Sequence, residues 1–116
     1  MTDARFPDRW LADRRLLRLP ADAFRLFAFA LMWSVSNKTD GVIDDDDLPL
    51  IPGFGPGCVD HLADAGLWER QVDAWVITVY ADTQTSRSEF DALAARRRSD
   101  RQRKARERLR KASDVT

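Results

Sequence analysis

Eleven basic side chains crowd the end of the chain between Ser86 and Lys111: Arg87, Arg96, Arg97, Arg98, Arg101, Arg103, Lys104, Arg106, Arg108, Arg110 and Lys111. Only Glu89, Asp91, Asp100 and Glu107 offset them, leaving this segment at +7. Cations at this density neutralise phosphates. They displace counterions from a nucleic-acid backbone and need not read its sequence. Upstream the sign reverses. No Lys or Arg occurs from Thr39 to Glu69, where Asp40, Asp44, Asp45, Asp46, Asp47, Asp60, Asp64 and Glu69 supply eight negative charges. The totals, 19 Lys+Arg and 19 Asp+Glu, hide this segregation behind a formal charge of zero. Charge sorted in this way points to an anionic partner for the basic end. Docking of the basic end on the acidic middle of a neighbouring copy fits the same pattern.

Other residue types that could do chemistry lack the spacing for it. Asp44 to Asp47 are consecutive, without the alternation, central glycine and closing glutamate of a calcium loop, so helix capping is expected of them. The chain has one His and one Cys, which removes a two-His metal site and an internal disulfide within one subunit. Cys58 reads as a small buried hydrophobe and His61 as a surface or interface residue. Gly53-Phe54-Gly55-Pro56-Gly57 lacks the Lys-Ser/Thr end of a phosphate loop and reads as a turn. No Ser, Cys or Lys has a recognisable base partner, so no catalytic, cofactor or metal site is expected. Asp44, Asp45, Asp46, Asp47, Asp60, His61 and Asp64 are left as candidates for a protein interface.

These residues must be positioned by a small fold. The 116 residues are 44% hydrophobic, enough for one packed domain. After a mixed lead-in from Phe6 to Leu19, the 3, 4, 4 spacing of Phe24, Phe27, Leu31 and Val35 predicts a core helix from about Pro20 to Val35 or Ser36. Pro20 suits its first turn, and Asn37 and Gly41 are expected to end it. Val42-Ile43 is a short strand candidate. A short helix from the aspartates to about Ile51 follows, and then a second from Cys58 to Ala65 with Val59, Leu62 and Ala63 as its apolar face. Leu67 to Gln71 and Ala74 to Tyr80 read as a two-stranded hairpin about Val72-Asp73, with Trp75, Ile77 and Val79 alternating. Ser86-x-x-Glu89 has the capping-box pattern that opens a long helix to about Lys111. The expected fold is mainly α with a small β-hairpin. This is a winged helix, a helix-turn-helix variant, followed by a long basic C-terminal helix. The expected domains are 1–85 for the winged helix and 86–116 for the basic helix and tail.

Several stretches resemble small winged-helix proteins of actinobacterial phages and prophages. They are Trp10, the turn Thr39-Asp40-Gly41-Val42-Ile43, the junction Leu62-Ala63-Asp64-Ala65-Gly66-Leu67-Trp68-Glu69, the strand Ala74-Trp75-Val76-Ile77, and Gln84-Thr85-Ser86-Arg87-Ser88-Glu89 before an Arg-rich helix. They are similar to the N-terminal region of phage replication initiators or replisome organisers. The resemblance implies DNA binding in replication initiation or gene control. The family's histidine-aspartate-tryptophan run is replaced here by Thr78, Val79 and Tyr80, so no contact carries over from it. Longer members continue past the basic helix, whereas this sequence runs to Thr116, and no separate loader-binding domain is expected.

In a groove-reading helix-turn-helix the second short helix needs Arg, Lys, Asn or Gln for base edges. Here it carries Asp60, His61 and Asp64, so the basic helix is the better binder, with Arg70 at the wing tip as a further contact. The expected partners are DNA, duplex or single-stranded, or RNA, together with a homodimer or a replication or host protein. Met1 to Arg9 lack an apolar signal region, and Leu26 to Val35 is about half of the ~20 residues that span a bilayer. The expected setting is the bacterial host cytoplasm or nucleoid, with no membrane partner.

Overall fold

The computed structural model describes residues 3–114, and the outer ends of both expected domains lie outside them. The chain forms two units that divide between Ser86 and Arg87. In the first unit, a 3-10 turn (Asp8–Ala12) and a four-residue helix α1 (Arg14–Leu17) lead into α2 (Ala21–Asn37). Strand β1 (Val42–Asp44), a 3-10 turn (Leu48–Leu50), α3 (Pro56–Asp64), β2 (Trp68–Arg70), β3 (Ala74–Ile77) and α4 (Tyr80–Thr83) follow. The second unit is α5 (Arg87–Asp114).

The spacing that predicts α2 also buries it. Ala23, Leu26, Phe27, Ala30, Leu31, Ser34 and Val35 face inward, all but Val35 fully buried, because residues three and four apart share one side. Pro20 stands one position before the helix as its cap rather than in the first turn. The end of α2 departs from expectation. Asn37 stays helical, Lys38 and Asp40 turn left-handed at φ 55°, and Gly41 takes φ 86°. Ser34 holds this turn from inside the core: its Oγ accepts from the Gly41 N–H at 2.7 Å and pairs with Thr39 Oγ1 at 2.6 Å. Gly41 is required for a second reason, since a Cβ there would lie 2.8 Å from Tyr80 Cβ.

The hairpin proves to be part of a three-stranded antiparallel sheet in the order β1-β3-β2. Val42 lies opposite Val76, and Trp68 opposite Ile77. The last strand stops at Ile77 rather than Tyr80. Thr78 turns away from the strand, its Oγ1 donating to the Gly66 and Leu67 carbonyls. Tyr80 instead begins α4, is buried, and donates its hydroxyl to the Thr85 carbonyl. Ile43, Ile51, Leu62, Leu67, Trp68 and Ile77 are buried and, with the inner face of α2, make the core. Each large apolar side chain buried there contributes roughly 1.5–3 kcal/mol. The lead-in is fastened by buried Gln84, whose Oε1 accepts from the Arg5 N–H and whose Nε2 donates to the Arg5 carbonyl, both at 2.7 Å.

The expected helix after the aspartates is only the 3-10 turn, because Pro49 sits at its start and Asp47 makes no side-chain capping bond. The second expected short helix is present as α3, starting earlier at Pro56. It buries Cys58, Val59 and Leu62 and leaves Ala63 half-buried.

In the second unit, α5 has 28 residues and so is about 42 Å long. Phe90 and Leu93 are half-buried, and every residue from Ala94 to Ala112 is exposed.

Candidate nucleic-acid interface

All the basic candidates from Arg87 to Lys111 fall on α5. Helical geometry spreads Arg96, Arg97, Arg98, Arg101, Arg103, Lys104, Arg106, Arg108, Arg110 and Lys111 around the whole circumference, and each is exposed. Among the described residues from Arg96 to Lys111 the one ion pair joins Arg103 to Asp100, three residues back, at 3.5 Å. The sequence favours Asp100/Lys104 and Glu107/Lys111 as pairs four apart; neither is within pairing distance among the described residues. An exposed pair of this kind contributes ~0–1 kcal/mol and yields easily to a phosphate. The helix therefore presents unneutralised guanidinium groups in every direction, which suits backbone binding without a fixed register.

Arg70 is in a different situation. Its two terminal nitrogens donate to both carboxylate oxygens of Asp45, at 2.6 and 2.8 Å. Its guanidinium also lies 5.2 Å from the Trp75 ring centre. This bidentate pair holds the Asp45 carboxyl below its ordinary range and pushes Arg70 further up. The hairpin tip beyond it is Gln71, Val72 and Asp73, with Val72 89% exposed. A phosphate contact by Arg70 thus has to compete with Asp45.

The acidic candidates fall on two places. Asp44, Asp45 and Asp46 are exposed and Asp47 half-buried, at the end of β1 and just beyond it. Asp60, His61 and Asp64 occupy the outer face of α3, opposite the buried Cys58, Val59 and Leu62. Among the described residues no group of three His, Cys, Asp or Glu is placed to hold a metal ion. Burial, followed by the nearby Asp22 carboxylate, pushes the Cys58 thiol above its ordinary value, which keeps it protonated and unreactive.

Sequence reasoning missed one basic group. Arg14, Arg15 and Arg18 of the lead-in line an open cleft of about 300 Å³ with His61 and Asp64 of α3. The available signal was the spacing of Arg14 and Arg18, four apart and so on one helix face. That they meet α3 follows only from the tertiary fold. Arg15 is already engaged, its side chain donating to Asp13 at 2.8 and 3.1 Å, and Asp13 is held below its ordinary range by that contact.

No family model, no curated protein and no solved structure matches this chain.

Proposed function

We propose that the first unit is a winged helix and that the chain is a nucleic-acid-binding protein of phage type, acting in replication initiation or gene control. The order helix, strand, turn, helix, strand, strand supports the fold, as does the strand order β1-β3-β2, in which the last two strands form the wing. The observation that carries the function is α5, whose cations from Arg96 to Lys111 are exposed and, among the described residues, unpaired but for Arg103. A packed domain gains nothing from such a surface, whereas a polyphosphate partner releases counterions against it. In this reading α3, lined outward by Asp60 and Asp64, does not enter the major groove. The outward carboxylates of α3 disfavour a groove contact by that helix, and α5 binds DNA, single or double stranded, or RNA. The chain is a binding protein and not an enzyme.

A second reading rests on the acidic surface. Exposed Asp44 and Asp46 lie close in sequence to Leu50, which is 74% exposed. Carboxylates beside an exposed leucine suit a basic, partly apolar protein surface, belonging to a host or phage partner or to a second copy.

The test compares the full chain with R96A/R97A/R98A on two unrelated duplexes and one single strand. The first reading expects weaker binding to all three, with an unchanged melting temperature. Unchanged binding moves the function to the acidic surface. Loss on only one sequence makes these arginines base readers and the protein a specific regulator.

A further inference from the structure

We propose that the cleft between α1 and α3 is a phosphate-binding site in its own right, separate from α5. Arg14 opens α1 and Arg18 caps it, with the Arg18 N–H donating to the Arg14 carbonyl at 3.1 Å. Their side chains therefore leave the same side of the helix, one turn apart. Among the described residues neither guanidinium has a hydrogen-bond or ion-pair partner, whereas the intervening Arg15 is fixed on Asp13. His61 adds a third donor from the facing helix. A guanidinium is a planar fork of donors matched to two oxygens of one anion. Two forks and an imidazole offer more donors than the two oxygens of a carboxylate can accept, and a phosphate group supplies the additional oxygens. The cleft, about 300 Å³, has room for one such group.

Asp64 lines the same cleft and works against the anion. Among the described residues it is the one carboxylate lining the cleft, against Arg14 and Arg18, so the balance stays positive, and it sets a limit on affinity. The phosphate can come from a nucleic-acid backbone or from a small phosphorylated ligand; the recognition chemistry is the same. The site uses only residues of the first unit and does not depend on α5 binding nucleic acid.

The experiment is an amide NMR titration of the full chain with two probes, inorganic phosphate and a short duplex without terminal phosphates. Phosphate is expected to shift the His61, Ala65 and Leu19 signals saturably. R14A/R18A should weaken this at least about tenfold, the loss of a single charge-assisted contact. R14K/R18K should fall between, keeping charge but losing the forks. D64N should tighten binding by removing the opposing charge. If the duplex moves the same signals, the phosphate belongs to a nucleic acid; if inorganic phosphate alone does, it belongs to a small ligand. The proposal is overturned if neither probe moves these signals, or if R14A/R18A binds phosphate as the wild type does. D64N and R14K/R18K keep the test valid if the alanine pair does not fold. R96A/R97A/R98A should retain these shifts, so loss of nucleic-acid binding by α5 and failure of this site are separately visible.

Discussion

Asp45 and Arg70 illustrate how one long-range contact changes the meaning of two residues. Read locally, Asp45 is a helix cap and Arg70 a free wing-tip cation; the fold joins them across 25 residues of sequence. Both groups are exposed, so salt screens the pair and its effect on stability is small. The sign of its pH dependence is nevertheless fixed. A carboxyl depressed in the folded state stabilises it above the unfolded value, and that contribution disappears as pH falls through the folded value. The Asp45 carboxyl, followed by NMR, should titrate below the ordinary range, and R70A should return it there. An Asp45 that titrates normally in the wild type contradicts the pair. Releasing Arg70 with D45A should add about one phosphate contact, steepening the log–log salt slope by about 0.9 on duplex DNA.

Elements were legible to the extent that their signal was local. The 3, 4, 4 spacing of α2 survives intact because a buried helix imposes that period on its own sequence. Leu31 is fully buried within it, so L31A should cost ~2–5 kcal/mol, a large share of a small domain's stability. A thermal melt that does not move would mean the register of the core is different. The end of β3 was not legible, since the alternation of Trp75, Ile77 and Val79 runs past the point where Thr78 bonds back to Gly66 and Leu67. Nor was the pairing of β1 with β3, which only the closed core decides. Helix α3 was placed within two residues, and its acidic outer face was evident from composition alone. If α5 is the binder, D60A and D64A should leave nucleic-acid affinity equal or raise it by removing repulsion. Loss of binding by a folded D60A or D64A chain would make α3 the reader. The arginine cleft was hidden because Arg14 and His61 are far apart in the sequence and meet only in the tertiary structure.

Over the whole molecule, a formal charge of zero divides into an acidic stretch within the first unit and a basic second unit. Among the described residues no helix is long and apolar enough to cross a membrane, and α5 is far too charged to bury either its length or its circumference. A helix of this kind gains its energy from counterions released by the partner, so affinity must depend steeply on salt and weakly on sequence. The most direct measurement is duplex affinity over a range of salt concentrations, for the full chain and for R96A/R97A/R98A. If four to six of the basic side chains engage at once, the log–log slope should be roughly −4 to −5 for the full chain. The triple variant should flatten it by about 2 to 3 units and weaken all sequences alike. A slope near zero, or an identical slope for the two proteins, would contradict phosphate binding by α5.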